Sequence, residues 1–181
     1  MNVIPDASFF ICFLDDLEDH IPGPDRIRIL KTITDTFTIV VVPAVERESR
    51  LERLPDPVKD QILLTNIPWK QSDPSVELLR PLLGKGEHEV ISCAHEHLLK
   101  GDTMFLFILD DGLARHLVKR ILPLLMDHLK GTVGFLGLCA IRKVLDKDKT
   151  IHLISIIGRS NFRVDQSTIT TVIAGIRNQC G

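Results

Sequence analysis

Aromatic residues are scarce in this chain of 181 residues. It has no tyrosine, a single tryptophan (Trp69) and eight phenylalanines, most of which lie in apolar segments. We expect those phenylalanines to fill a core. The sequence therefore gives no sign of an exposed aromatic platform on which the bases of a nucleic acid could stack.

An excess of basic charge is also missing. Lys and Arg total 22, Asp and Glu total 24, and the formal net charge is −2. A protein that only binds nucleic acid is more often basic, whereas an enzyme that gathers carboxylates in one pocket can be nearly neutral. No apolar run approaches the ~18 residues that span a bilayer, and no signal peptide is visible. We therefore expect a cytoplasmic protein with no membrane partner.

The chain has four cysteines and no Cys-x-x-Cys pair. Three of the four have apolar neighbours, which is typical of buried free thiols in a reducing compartment. The pattern argues against a disulfide framework or a zinc site. The four residues are Cys12, Cys93, Cys139 and Cys180.

Segments of strand type and of helix type alternate along the chain. Strands are predicted at residues 2–5, 37–42, 62–67 and 104–109, and helices at 9–14, 27–34, 44–54, 87–100, 112–122, 133–145, 151–157 and 164–177. This alternation predicts an α/β fold in which helices sandwich a central parallel sheet. We expect a single domain over residues 1–181, with a core of about 1–145 and C-terminal helices at about 150–180.

Acidic residues follow three of the predicted strand ends. Asp6 follows the first strand, Asp110 and Asp111 follow the strand at 104–109, and Glu48 lies in the helix after the strand at 37–42. An Asp in such a place is often a helix N-cap or a turn residue. Ligands of parallel sheets bind beyond the carboxyl ends of the strands, however. The shared location therefore favours a common acidic site.

Two glutamates fall on apolar helix faces. At ~100° per residue, Glu87 shares a face with Ile91 and Leu98, whereas Glu89 and Glu96 fall on the opposite face and are expected to be solvated. An unpaired carboxylate on an apolar face is unfavourable. Two other interpretations of Glu87 stay open, a favourable position in the helix dipole and a side chain that extends to solvent. Glu48 lies in the apolar sector of the helix at 44–54, and its alternative is a surface ion pair with one of three nearby arginines, Arg47, Arg50 and Arg53.

Several carboxylates in one pocket repel one another and raise one another's pKa values. A hard divalent cation relieves that repulsion, and ligation by oxygen alone favours Mg²⁺ or Mn²⁺. Such an ion can activate a water for in-line attack on a phosphodiester. We therefore predict metal ligands among Asp6, Glu87, Asp110 and Asp111, with Glu48 as a further ligand or a general base.

Basic residues form a stripe on the helix at 112–122, opposite its apolar face. This stripe could hold RNA phosphates or be an ordinary solvated surface. It consists of Arg115, His116, Lys119 and Arg120. The histidines at 88, 95 and 97 lie on different sides of their helix and lack the spacing of a zinc motif.

Five segments resemble the motifs of PIN domains, in the same order. They are the opening strand with its Asp (Val3–Ser8), the second acidic segment (Val42–Glu48), the glycine-glutamate helix start (Gly84–Ile91), the third acidic motif (Leu109–Arg115) and the segment after it (Gly131–Gly134). The resemblance covers residues 1–145. The final helices resemble those of a prokaryotic PIN-like subfamily related to VapC toxins.

The resemblance implies a Mg²⁺- or Mn²⁺-dependent endoribonuclease, such as the toxin of a toxin-antitoxin pair. It implies RNA as the substrate, an antitoxin protein as a partner and a homodimer as the assembly. The implied catalytic residues are Asp6, Glu48, Glu87, Asp110 and Asp111. The candidate RNA contacts are Ser8, Arg115, Lys119 and Thr132.

Thr132 departs from the family pattern, because many PIN domains carry a fourth acidic residue near this position. A hydroxyl is a weaker ligand than a carboxylate. The alternative function is therefore a catalytically impaired PIN-fold protein that binds nucleic acid or regulates a partner. A phosphoryl-relay receiver domain fits less well, because its acidic pair lies near the N-terminus and the pair here is at 110 and 111.

Overall fold

Five short parallel strands form one sheet in the part of the chain that the structure, a computed structural model, describes: residues 1–65 and 73–179. Their order is β3-β2-β1-β4-β5, so β1 is central and pairs in parallel with β2 and β4. The predicted α/β fold with a parallel sheet is confirmed. The strands are β1 (Asn2–Pro5), β2 (Thr38–Val41), β3 (Ile62–Leu64), β4 (Phe105–Ile108) and β5 (Leu129–Lys130).

Helices connect the strands and flank the sheet, as parallel pairing requires. The described ranges contain α1 (Ala7–Ile11), α2 (Gly23–Thr36), α3 (Pro43–Glu48), α4 (Asp56–Lys59), α5 (Pro74–Glu77), α6 (Lys85–Leu99), α7 (Gly112–Ile121), α8 (Thr132–Ile141), α9 (Lys147–Ile157) and α10 (Gln166–Gln179). A π-helical turn, Cys12–Asp16, extends α1. Turns of 3-10 type occur at Leu51–Arg53, Arg80–Leu82 and Pro123–His128.

One continuous core extends from Val3 to Ile176 and includes the C-terminal helices. All eight phenylalanines are buried in it, as predicted. Cys12, Cys93 and Cys139 are buried free thiols, also as predicted, while Cys180 and Trp69 lie outside the described residues. Within residues 1–65 and 73–179, no helix has both the length and the apolar character needed to cross a membrane.

Several predicted boundaries were wrong for local reasons. The helix predicted at 44–54 ends at Glu48, because Arg50 adopts a left-handed conformation with φ 53°. The helix predicted at 133–145 ends at Ile141, and Lys143 has φ 60°. The strand predicted at 62–67 ends at Leu64, and residues 66 and 67 lie outside the described ranges. Strand β5 was missed because two residues carry no readable pattern.

Glycine lets the C-terminal helices pack closely on the rest of the domain. A Cβ at Gly137 of α8 would lie 2.5 Å from Cγ1 of Val172 on α10, a distance that real Cβ atoms do not show. Gly134, one turn earlier on α8, has nothing within 4 Å of such a Cβ. The approach of α10 to α8 therefore depends on the missing side chain at 137.

We predict that Gly137→Ala destabilises the protein by about 1–3 kcal/mol, because the added methyl overpacks the α8–α10 contact. Gly134→Ala is the matched control and should stabilise by about 0.5–1 kcal/mol, since alanine is the better helix former. Urea unfolding of the two variants measures both values. Equal effects of the two substitutions would contradict the packing described here.

Candidate active site

A cleft of about 1010 Å³ opens at the carboxyl edge of the sheet. Its lining includes Ser8 after β1, Asp110 after β4 and Gly131 after β5. The loop between α9 and α10 completes it, with Asn161 to Asp165 among the lining residues. The acidic residues that follow β1 and β4 therefore do lie at one edge of the sheet, where ligands of parallel sheets bind.

Asp6 joins the ends of the two central strands. It is 3% exposed, and its Oδ1 accepts a hydrogen bond from the backbone N–H of Phe9 at 3.3 Å, which caps α1. Its Oδ2 accepts a bond from the backbone N–H of Asp110 at 3.2 Å. The predicted N-cap and the predicted site residue are thus the same side chain.

Asp110 is held by Thr132, the first residue of α8. Its Oδ1 accepts a bond from the Thr132 backbone N–H at 2.9 Å, and its Oδ2 accepts one from the Thr132 hydroxyl at 2.6 Å. Thr132 is completely buried. It therefore orients Asp110 and is not placed to contact RNA as the sequence suggested.

The neighbouring Asp111 has a different task. Its Oδ1 accepts a bond from the Ala114 backbone N–H at 2.7 Å, which makes it the N-cap of α7. The residue is exposed at the rim of the cleft. The structure thus separates the pair, with Asp110 turned to Asp6 and Thr132 and Asp111 turned to its own helix.

Glu87 lies in the first turn of α6, is half-buried and lines the cleft. Its charge raises the pKa of both Asp6 and Glu48, so it is within electrostatic reach of each. Glu48, the last residue of α3, is exposed and does not line the cleft. Its carboxylate rests against Gly86, where a Cβ would lie 2.7 Å from Oε2.

Glu89 was wrongly predicted to be solvated. It is 8% exposed, and its Oε2 accepts a hydrogen bond from the Ala44 backbone N–H at 2.7 Å. Helix α3 has no side-chain cap of its own, so Glu89 satisfies one of its free N–H groups across 45 residues of sequence. Helical periodicity could not reveal this contact, because the partner belongs to another helix.

The basic stripe predicted on α7 is divided by the structure. Arg115 is half-buried, lines the cleft and donates from Nη1 to the carbonyl of Leu109 at 2.9 Å. Lys119 is exposed and is not among the cleft residues. Sequence reasoning missed four further charged residues of the lining: Asp16, Lys130, Arg163 and Asp165. They come from a π-helical turn, a two-residue strand and a loop, none of which has a readable sequence pattern.

The electrostatics of the site follow from burial. Burial, then the charge of Asp110 and lastly that of Glu87, raise the pKa of Asp6 to about 7. Burial also raises the pKa of Asp110, although the Thr132 hydrogen bonds and the Arg115 charge oppose the rise. Partial burial and the charges of Glu87 and Glu89 raise the pKa of Glu48. Asp6 and Asp110 are poorly solvated, so protonation or a bound cation stabilises them, whereas Glu48 is exposed.

The side chains of the site offer the type of ligand atom that magnesium and manganese ions prefer. Asp6, Asp110 and Glu87 offer only carboxylate oxygens, the ligands of hard divalent cations. Among residues 1–65 and 73–179, no group of three or more His, Cys, Asp or Glu side chains is arranged to hold a metal ion. Mg²⁺ commonly binds through one or two carboxylates and completes its shell with water and substrate phosphate. The Asp6–Asp110 pair offers that number of carboxylates.

Comparisons of the chain with models of protein families, with curated proteins and with solved structures find no match.

We predict that Asp6→Asn removes a pH dependence of stability. The folded-state pKa of Asp6, about 7, lies above its ordinary value of 3.8, so the folded protein holds a proton that the unfolded chain releases. The stability from this group is complete below about pH 4 and is lost as the pH rises through about 7. Between pH 4 and 8 the metal-free wild type should therefore lose stability on the order of 3 kcal/mol that the variant does not lose.

Chemical unfolding of the metal-free wild type and variant between pH 4 and 8 measures this difference. Asp60→Asn, a change at an exposed carboxylate, is the control and should follow the wild type. The difference in unfolding free energy between the wild type and Asp6→Asn should change with pH. A difference that stays constant would contradict the burial of an ionisable Asp6.

Proposed function

We propose that this protein is a metal-dependent ribonuclease that hydrolyses RNA phosphodiester bonds. The observation that carries the proposal is the pair of buried Asp6 and half-buried Asp110 at the carboxyl edge of β1 and β4, where the Asp110 backbone N–H donates to Asp6 at 3.2 Å and Asp110 lines the cleft. The resemblance of five segments to PIN-domain motifs points to the same chemistry and to a PIN-like fold.

The low exposure of the two carboxyl groups favours the binding of a cation over the role of an ordinary surface carboxylate. The charge of Asp110 raises the pKa of the buried Asp6, and two poorly solvated carboxylates near each other are unfavourable unless a proton or a cation neutralises them. The Arg115 charge lowers the pKa of Asp110, but its Nη1 donates to a backbone carbonyl and Arg115 forms no salt bridge with Asp110 in the described residues. The pair is therefore left to a cation from solution.

In this proposal Asp6 and Asp110 hold Mg²⁺ or Mn²⁺. The bound ion supplies positive charge against the negative charge that develops on the phosphorus oxygens during hydrolysis. Thr132 fixes the orientation of Asp110 through its N–H and its hydroxyl. Glu87, which lines the cleft beside the pair, is a further ligand or accepts a proton from the attacking water.

A second candidate is a catalytically impaired protein of the same fold that binds nucleic acid or regulates a partner. One observation favours it. Both carboxylate oxygens of Asp110 accept hydrogen bonds from Thr132, at the place where the resemblance implies a fourth acidic residue. Those bonds compete with a metal ion for the oxygen lone pairs, and they weaken the site if they persist.

The remaining expectations from the resemblance stay predictions. They are a toxin role, an antitoxin partner, a homodimer and a cytoplasmic location.

We predict that Mn²⁺ raises the thermal midpoint of the wild type and that the loaded protein cleaves single-stranded RNA. Asp110→Asn should abolish the thermal shift and lower cleavage about 100-fold or more, because the amide is a poor metal ligand. Glu87→Gln should weaken metal affinity by about 10- to 100-fold. Thermal shift and cleavage of a fluorescent oligoribonucleotide measure both effects.

Asp111→Asn is the matched control, since asparagine also caps a helix and the residue is placed outside the pair. It should keep both metal binding and cleavage. A wild type that binds no metal and leaves RNA intact would sink the ribonuclease proposal. A wild type that binds RNA without cleaving it would favour the second candidate.

A further inference from the structure

The cleft carries a set of basic residues in addition to its carboxylates. Arg115 comes from α7, Lys130 from the end of β5 and Arg163 from the loop between α9 and α10. In the described residues none of the three forms a salt bridge with a carboxylate. All three basic residues therefore lack a salt bridge in the described part of the chain, although the same cleft is also lined by Asp16, Glu87, Asp110, Asp111 and Asp165.

The loop that carries Arg163 is anchored in the core. Its neighbour Phe162 is 9% exposed and belongs to the core, and the Phe162 backbone N–H donates to Oγ of Ser160 at 3.2 Å. Just before the loop, Gly158 packs so closely on Ile169 that a Cβ would collide with its side chain. The residues just before Arg163 are thus held against the core.

The lining of the cleft that the described residues form offers no exposed aromatic surface on which bases could stack. Among its lining residues only Phe162 is aromatic, and its ring is buried in the core. Sequence-tolerant binding of a single strand commonly combines a basic groove with aromatic stacking. Here only the first of these two components is present in the described lining.

We propose that Arg115, Lys130 and Arg163 bind backbone phosphates of an RNA strand next to the bond that is hydrolysed. The inference rests on the ribonuclease function proposed above, and it states how that substrate is held: by its phosphates and not by its bases. Because the whole chain has a net charge of −2 and carboxylates outnumber basic residues in the cleft lining, attraction of a polyanion depends on the three basic residues together with the bound Mg²⁺.

Binding of a short fluorescent oligodeoxynucleotide in the presence of Mg²⁺ tests the proposal, because DNA offers the same phosphates and lacks the 2′-hydroxyl. Affinity is measured by anisotropy over a range of salt concentrations. Arg163→Gln and Lys130→Gln should each reduce the slope of log K against log[salt] by about 0.7, the value for one lost phosphate contact on a single strand. Thymidine and mixed-sequence probes should bind with affinities within about threefold of each other, since phosphate contacts carry no sequence information.

Arg177→Gln is the matched control. Arg177 is an exposed arginine of α10 that does not line the cleft, and its loss should leave the slope unchanged. Unchanged slopes for Arg163→Gln and Lys130→Gln, or an equal loss for Arg177→Gln, overturn the inference. Competition by a polyglutamate peptide as strong as that by the oligonucleotide also overturns it, because it would indicate an acidic protein partner instead.

Cleavage assays on the same variants separate this inference from the proposed function. If the wild type binds the strand with the expected salt dependence but never cleaves RNA, the ribonuclease proposal is wrong and the proposed phosphate contacts are retained. A wild type that cleaves RNA while Arg163→Gln and Lys130→Gln keep its KM overturns the phosphate contacts alone. A wild type that binds no oligonucleotide overturns the inference.

Discussion

The carboxyl groups of Asp6 and Asp110 lie near each other, with little exposure to solvent, at the carboxyl edge of the central strands. Strands β1 and β4 pair so that Pro5 lies opposite Ile108, and this register brings Asp6 close to Asp110 just beyond the strand ends. The hydrogen bond from the Asp110 N–H to Asp6 fixes the two loops together. Since two buried like charges repel, the arrangement is favourable only with a proton or a cation between them, and the rest of the site is built around that constraint.

The contacts that hold the Asp6–Asp110 pair in place involve the C-terminal helices. Thr132 begins α8 and holds both oxygens of Asp110, and α8 is packed against α10 at Gly137 and Val172. The loop between α9 and α10 also brings Arg163 to the cleft. The C-terminal helices, which the sequence presented as an addition to a core of residues 1–145, therefore belong to the same core and complete the cleft.

The strands and the placement of Asp6 and Asp110 were readable in the sequence because buried parallel strands are continuous apolar runs and the acids follow them directly. Contacts between distant segments were not readable. Glu89 was assigned to solvent because its partner, the Ala44 N–H, lies on another helix, and the division between Asp110 and Asp111 depends on Thr132, 22 residues away. The ends of α3 and α8 were not readable either, because Arg50 and Lys143, just after them, adopt the left-handed backbone that such residues seldom adopt.

Proton release during Mg²⁺ binding tests the central claim most directly, since a cation that enters the Asp6–Asp110 pair must displace the proton held there. Calorimetric titration near pH 7 in buffers of different ionisation enthalpy counts those protons. With a pKa of about 7 for Asp6, the account predicts a release of about half a proton per ion. Binding of Mg²⁺ to the wild type with the same heat in every buffer would contradict it.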